Sequence, residues 1–440
     1  MQLPIDELRR FVKHCDPSEP LSADHAFYVP LDADARGGDQ GCVGRLKRTL
    51  DLAGPLEQTC QLFTGFPGAG KTTELMRLQH ALEADRSEAT RAVYIDFEQY
   101  IDRFSPITIS DVLRVCAYVL DREATIAESK DPDARPGYLE RLWHFLRQDV
   151  HLKDFGYSNF GPELLFELRD NPTFRERARE VMSLRFQQFA EEAVSTMAAA
   201  VVRLRAAAMC ERVVVLADSL EKLTPVREED RRLVESSVEA LFLQHARLLQ
   251  IPCHVIYTFP FWLGFRTAGL GSAYHQETVI LPMVKVRTRE GEPWTPGIAR
   301  LEEIVRRRLD VDRVFGSAER LRPLLEASGG YPRDLLRLLR EVLFQATSFP
   351  VTAEDVERVI SQLSQSYADV VRSTDIPLLD EVERTNSMPL GDNDQTQAFG
   401  RLLDRWLVLA YRDDRRWYGV HPLVAAARDR FLRPPLQELP

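Results

Sequence analysis

Short apolar runs, many of them β-branched, recur along the first two thirds of the chain and predict β-strands. The runs lie at residues 60–64, 91–97, 213–217, 254–258 and 278–281. Stretches with the apolar spacing of amphipathic helices separate them, as at residues 74–82. Strands that alternate with helices predict a parallel sheet with helical crossovers, so the expected fold class is α/β.

The second and third predicted strands are separated by residues 98–212, whereas a strand–helix–strand crossover takes only a few dozen residues. Helical spacing recurs at residues 138–150 and through the Glu-, Arg- and Ala-rich stretch 174–211. We therefore predict a helical insertion over about residues 120–210. The alternating charges that follow Phe174 are typical of a solvated helix face, and a partner surface is the alternative.

Regions of different pattern flank this core and predict four domains. Helices are expected at 43–52, before the core, and at 299–309, 318–327 and 332–344, after it. The predicted domains are an N-terminal extension at 1–55, the core at 56–290, a helical lid at 291–350 and a winged-helix domain at 351–440.

The winged-helix prediction depends on the order of elements in the last ninety residues. Helices are expected at 353–365 and 395–405, and the runs 407–411 and 417–420 predict a β-hairpin through an Asp-Asp turn. Helices followed by a hairpin are typical of a winged helix.

The composition makes several classes of protein less probable but does not identify the function. The 440 residues carry 57 Lys and Arg against 67 Asp and Glu, a net charge of −10, which disfavours general binding to nucleic-acid backbones. No apolar run reaches the ~20 residues of a membrane-spanning helix, and the N-terminus has no secretory pattern, so we expect a cytoplasmic protein without a membrane partner. The six cysteines form no Cys-x-x-Cys pair, which indicates neither zinc nor a disulfide framework.

Residues 65–72, Gly-Phe-Pro-Gly-Ala-Gly-Lys-Thr, match the phosphate-loop pattern and lie between a predicted strand and a predicted helix, as the motif requires. Glycines let backbone N–H groups surround an anion, Lys71 reaches the terminal phosphates, and Thr72 can ligate Mg²⁺. The alternative is an ordinary glycine-rich turn. The residues predicted to bind nucleotide here are Gly65, Pro67, Gly68, Ala69, Gly70, Lys71, Thr72 and Thr73.

The apolar run 213–217 ends in Asp218, as the magnesium-binding strand of a phosphate-loop ATPase does. Asp218 is therefore the second predicted Mg²⁺ ligand, with a helix-capping role as the alternative. Ser219 stands where a catalytic Glu often follows, so Glu221 is the nearest carboxylate able to orient a water. Glu221 is alternatively an ordinary residue of a helix's first turn.

Thr258 ends the fourth predicted strand, at the edge of the sheet where ligands of open α/β folds bind. Its hydroxyl is a candidate sensor of the γ-phosphate, and a purely structural Thr is the alternative.

With these motifs the chain resembles the AAA+ and STAND branch of phosphate-loop ATPases, notably the origin-recognition-like and NACHT-like groups. The resemblance covers about residues 25–435 and is carried most strongly by residues 65–72. It implies a lid motif that packs by the adenine, here Gly330-Tyr-Pro332, followed by a sensor arginine, Arg333. A turn with Pro at a helix start is the alternative.

The resemblance also implies that His421, in Val-His-Pro-Leu, contacts the β-phosphate of ADP, although Pro stands where Asp is often found. A packed residue after a wing strand is the alternative. Tyr28-Val-Pro30 is implied to line the adenine pocket or simply to pack. No arginine is singled out as a trans-acting finger.

The sequence thus predicts a nucleotide-switched ATPase that uses ATP, ADP and Mg²⁺ and acts through a protein partner or a homo-oligomer. A role in bacterial defence or signalling is suggested only by the STAND resemblance. The alternative is a binding or scaffold module that holds ATP or ADP with little turnover and whose winged helix binds DNA.

Overall fold

The predicted strands form one parallel sheet in a computed structural model of the chain. The strands are β1 (Cys60–Gly65), β2 (Thr90–Asp96), β3 (Arg212–Asp218), β4 (His254–Thr258) and β5 (Val279–Leu281). Their order in the sheet is β2-β3-β4-β1-β5. All residues of β1, β3 and β4 are buried, as expected for a parallel sheet with both faces covered. The α/β fold class is therefore confirmed.

The structure describes residues 3–428 except 19, 32–33, 38–40, 132–136, 148–162, 224–226, 267–268, 275 and 390–392. The chain divides into two compact units. The first, which we call the loop-and-lid unit, comprises Met1–Arg45, Gly65–Glu74 and Ile280–Pro440. The second, the sheet unit, comprises Leu46–Thr64 and Leu75–Val279. The predicted phosphate loop thus groups with the predicted lid.

Helices connect the strands, and the described parts of the segment between β2 and β3 are mainly helical, as the apolar spacing predicts. The helices up to β5 other than the N-terminal one are Gly41–Leu52, Lys71–Ala84, Ile109–Ala127, Tyr138–Leu146, Glu163–Asp170, Pro172–Leu184, Phe186–Ala208, Arg231–Glu239 and Leu263–Arg266. Short 3₁₀ or π turns lie at Phe97–Gln99, Leu220–Lys222, Glu228–Asp230, Ala240–Gln244 and Leu270–Tyr274.

The helical stretch predicted at 174–211 is interrupted once. Arg185, with φ −124° and ψ 39°, leaves the helical conformation and separates Pro172–Leu184 from Phe186–Ala208. The apolar spacing does not reveal this break, because buried residues such as Met182 and Phe189 lie on both sides of it.

The loop-and-lid unit is mainly helical and contains a hairpin that precedes its last described helix. Its helices are Ile5–His14, Thr295–Arg306, Val311–Phe315, Ala318–Ala327, Pro332–Gln345, Ala353–Ala368, Ile376–Thr385, Asn393–Asp404 and Pro422–Ala427. The strands β6 (Val408–Arg412) and β7 (Arg416–Val420) pair in antiparallel fashion, which confirms the predicted hairpin. Helix Ile376–Thr385 was not predicted, although Pro377 in its first turn and Asn386 with φ +51° after its end are typical boundary signals.

No helix within the described part of the chain is both long enough and apolar enough to cross a bilayer.

Candidate functional site

The loop of residues 65–70 joins β1 to the helix Lys71–Ala84. Gly68 and Gly70 have φ of +83° and +99°, in the region that favours glycine. A Cβ atom on Gly68 would lie 2.5 Å from Nε of Arg333 and 2.8 Å from the Tyr331 hydroxyl oxygen, so a side chain here would displace these groups from the loop. The first N–H groups of the helix have no acceptor within it and point toward the loop end. The loop is therefore built to surround an anion.

Lys71 is the first residue of that helix and is only 4% exposed. Its ammonium Nζ donates hydrogen bonds to the carbonyl oxygens of Gly65 at 3.0 Å and Phe66 at 3.1 Å. Thr72 and Thr73 follow in the first turn, and Oγ1 of Thr73 accepts a hydrogen bond from the backbone N–H of Leu21 at 3.3 Å. A buried positive charge thus lies on the loop itself.

The start of the helix Pro332–Gln345 lies directly on the loop, within the same unit. The Tyr331 hydroxyl donates a 2.6 Å hydrogen bond to the carbonyl oxygen of Pro67, and the Arg333 side chain reaches Gly68. The motif Gly330-Tyr-Pro332 contains Tyr331, but the sequence does not reveal its hydrogen bond, because nothing local indicates an acceptor 264 residues away. The predicted lid motif and the predicted phosphate loop are brought together.

Arg36 is a second loop contact that the sequence did not reveal. Its buried guanidinium donates to the carbonyl oxygens of Ala69 and Pro282, each at 2.8 Å. The only sequence signal was its position in a polar loop of the N-terminal extension. Arg36 thereby ties the phosphate loop to the segment that follows β5.

His421 lies in a buried cluster with Asp334 and Tyr367. Its Nδ1 accepts a hydrogen bond from the Leu423 N–H at 3.1 Å, and its Nε2 lies 3.3 Å from Oδ2 of Asp334. The Tyr367 ring stacks on the imidazole, and the Tyr367 hydroxyl donates to Asp334 at 2.5 Å. These contacts favour the packed-residue alternative, and the contact with a β-phosphate stays a prediction.

Asp334 is charged in this cluster although it is buried. Burial alone would raise the pKa of its carboxyl, but His421, Tyr367 and Arg337 outweigh that effect and hold the pKa below its ordinary value. Arg337 Nη1 lies 3.0 Å from Oδ1 of Asp334. The carboxylate is thus stabilised by groups of the protein itself.

In the sheet unit, Asp218 ends β3 and is fully buried. Its Oδ2 accepts a 2.8 Å hydrogen bond from the Tyr94 hydroxyl, and its Oδ1 accepts one from the Ser219 N–H, also at 2.8 Å. Ser219 has φ of +73°, an unfavourable value for a residue with a side chain. Such strain often accompanies functional sites.

Thr258 ends the neighbouring strand β4 and is also fully buried. Pairing of Ala217 with Tyr257, and of Phe63 with Thr258, places the carboxyl ends of β3, β4 and β1 at one edge of the sheet. Among the described residues, the Thr258 hydroxyl has no hydrogen-bond partner. A buried hydroxyl without a partner is costly unless a ligand supplies one.

Glu221 lies in the 3₁₀ turn Leu220–Lys222, directly after Asp218 and Ser219, and is largely buried. The turn is tied to the end of β2, because Lys222 Nζ donates to Glu98 at 2.7 Å. Burial by itself would raise the pKa of Glu98, but the hydrogen bonds from Lys222 and Arg103 hold it below its ordinary value. Glu221 thus lies in the first turn of a short 3₁₀ helix, and its role in orienting a water stays a prediction.

Each unit, taken by itself, has residues whose chemistry fits one part of a magnesium nucleotide. The loop supplies N–H donors and the Lys71 ammonium, which fit phosphate oxygens. The sheet edge supplies a carboxylate and a hydroxyl, which are oxygen ligands of the kind that Mg²⁺ or a phosphate contacts. The chemistry of both donor sets therefore fits ATP with Mg²⁺.

Comparison with known proteins gives only remote similarities. No protein-family model matches the chain, and no curated protein matches it by sequence. One similar solved structure is the Walker-type ATPase PABY2304 of Pyrococcus abyssi, with 14% identity and a TM-score of 0.40, and the match covers 92% of this chain and 99% of that one. Another is Cdc6p from Pyrobaculum aerophilum, with 12% identity and a TM-score of 0.32, and the match covers 94% of this chain and 95% of that one. Function is therefore inferred below from the chain's own residues.

Proposed function

We propose that the protein is a cytoplasmic, Mg²⁺-dependent ATP-binding protein that hydrolyses ATP slowly and passes its nucleotide state to a protein partner or to further copies of itself. The observation that carries the proposal is the phosphate loop, with Gly68 and Gly70 in left-handed conformations and the buried Lys71 ammonium on the loop carbonyls. This loop supplies what a polyphosphate needs and has no evident use otherwise.

Each site residue has a role in this proposal. Lys71 and the loop N–H groups would hold the phosphates, while Thr72 and Asp218 would hold Mg²⁺, which supplies positive charge to a phosphoryl group. Glu221 would orient the attacking water, and Thr258 would contact the γ-phosphate. The buried hydroxyl of Thr258 without a protein partner supports its role.

Transmission of the nucleotide state is supported by contacts inside the loop-and-lid unit. Tyr331 and Arg333 touch the phosphate loop, and the next residue, Asp334, contacts His421 at the start of the last described helix. A change in loop conformation would therefore act on the C-terminal helices, which the proposal treats as a winged helix. A role in bacterial defence or signalling would use the same coupling.

The second candidate function is a binding module that keeps ATP or ADP with little turnover, and whose C-terminal domain binds DNA. One observation favours low turnover: Ser219, not a carboxylate, follows Asp218, and its side chain is buried. Turnover and binding measurements separate the two functions.

The first test compares Lys71→Ala with Lys47→Ala in titrations with a fluorescent ATP analogue, alongside steady-state phosphate release. Lys47, whose ammonium pairs with Asp51 and Asp85, serves as the matched control. We expect Lys71→Ala to lose most of the affinity and Lys47→Ala to retain it. Equal affinity of both folded variants would refute the phosphate-loop assignment.

The second test measures phosphate release by Glu221→Gln and molecular mass in ATP and in ADP. We expect the variant to bind ATP without hydrolysing it, because an amide cannot accept the proton of the water. Parent-like release would show that another group orients the water. A parent that binds ATP but releases no phosphate would establish the binding-module alternative.

A further inference from the structure

Tyr94 on β2 reaches the carboxylate of Asp218 on the neighbouring strand β3. In the register of the two strands Tyr94 is opposite Leu216, and Asp96 is opposite Asp218. Residues two apart along a strand share a face of the sheet, so the Tyr94 side chain lies on the face of Asp218. The hydrogen bond from its hydroxyl to Oδ2 of Asp218 is 2.8 Å long.

The two oxygens of Asp218 are held from two directions. Tyr94 fixes Oδ2, and the N–H of Ser219 fixes Oδ1 at 2.8 Å. Rotation of the carboxylate would break both hydrogen bonds. The orientation of the carboxylate is therefore set by these two hydrogen bonds.

Tyr94 supplies this hydrogen bond without supplying positive charge. A tyrosine hydroxyl has an ordinary pKa of about 10, so it is protonated and donates at neutral pH. A neutral donor orients Asp218 without adding a positive charge of its own, whereas Lys or Arg at this position would add one.

We propose that Tyr94 is the positioning residue that orients Asp218 toward a divalent cation accompanying the nucleotide. This inference rests on the proposed function. A hydrogen bond with a purely structural role would stabilise the sheet but would leave the effect of Mg²⁺ on nucleotide affinity unchanged.

The experiment compares Tyr94→Phe with Tyr274→Phe in the full chain. Tyr274 is the matched control, because its buried hydroxyl also donates a hydrogen bond in the sheet unit, to the carbonyl oxygen of Phe242 at 2.7 Å. Affinity for a fluorescent ATP analogue is titrated with Mg²⁺ and, in parallel, with EDTA. The ratio of the two affinities measures how much the cation contributes to binding.

We expect Tyr94→Phe to reduce this ratio about tenfold, the lower end for loss of a group that orients a metal ligand. Its affinity in EDTA, like both affinities of Tyr274→Phe, should match that of the parent. A parent-like ratio in Tyr94→Phe would overturn this inference and leave the proposed function standing. A parent protein that binds no ATP analogue under either condition would overturn both.

Discussion

Asp334 in the loop-and-lid unit and Asp218 in the sheet unit are both fully buried carboxylates, but their surroundings differ. Asp334 contacts His421, Tyr367 and the cationic Arg337, so groups of the protein compensate its charge. Asp218 accepts hydrogen bonds from two neutral groups, the Tyr94 hydroxyl and the Ser219 N–H, and the Lys222 ammonium acts on it electrostatically.

The hydroxyl groups beside Asp218 are a further difference between the two carboxylates. Beside Asp218, the side-chain hydroxyls of Ser219 and Thr258 are buried and, among the described residues, have no hydrogen-bond partner. Residue type and burial alone would not distinguish the two carboxylates. Their partners differ: the contacts of Asp334 fit a structural role, and the buried hydroxyls beside Asp218 support the proposed ligand-binding role.

The largest expected effect is the loss of stability when Asp334 is replaced. Asp334→Ala removes the acceptor of Tyr367 and the partner of His421, and should lower the free energy of unfolding by about 3 kcal/mol, since each buried group left without a partner costs about 1–3 kcal/mol. Asp334→Asn is the control, because it keeps the shape and one acceptor oxygen. Denaturant unfolding is the measurement, and equal loss in both variants would contradict the account.

Lowering the pH should remove the contribution of the same carboxylate, Asp334, to the stability of the fold. The folded pKa of Asp334 lies below its unfolded value of about 3.9, so its stabilising contribution is complete above that pH and is lost as the pH falls through the folded pKa. The stability of the parent should therefore converge toward that of Asp334→Asn below about pH 4. A constant difference from pH 7 to pH 2 would show that folding does not shift the pKa of Asp334.

Relieving the backbone strain at Ser219 should have a smaller effect on stability, and in the opposite direction. Ser219→Gly relieves a φ of +73° and should raise stability by up to about 1 kcal/mol. Met209→Gly, at a φ of +50° on an exposed residue, is the matched control. If the strain serves the site, Ser219→Gly changes phosphate release and Met209→Gly does not, and identical release in both would remove any functional meaning from the strain.

The smallest effect on stability is expected at Thr258. Thr258→Val replaces a buried hydroxyl without a described partner by a methyl group, so thermal stability should be unchanged or slightly higher while phosphate release falls. Thr64→Val is the control, because Oγ1 of Thr64 donates to the carbonyl oxygen of Phe259 at 2.6 Å and its loss should cost about 1 kcal/mol. Equal destabilisation by both changes would mean that Thr258 is structural.

The sequence by itself determined the local features of this protein. The β-branched runs predicted the strands, and the order Gly-x-x-Gly-x-Gly-Lys-Thr at residues 65–72 predicted a loop between β1 and its helix. Such features were accessible because hydrophobic periodicity and the conformational freedom of glycine act over a few neighbouring residues.

Only the tertiary structure decided which distant side chains meet. The Tyr94 and Asp218 pair spans 124 residues, and the Arg36 and Tyr331 contacts with the phosphate loop span 33 and 264. It also placed His421 against Asp334, where the sequence had left a phosphate contact and simple packing both open. The physical reason is that a buried polar group must find a partner wherever packing brings one, and no local pattern encodes that partner.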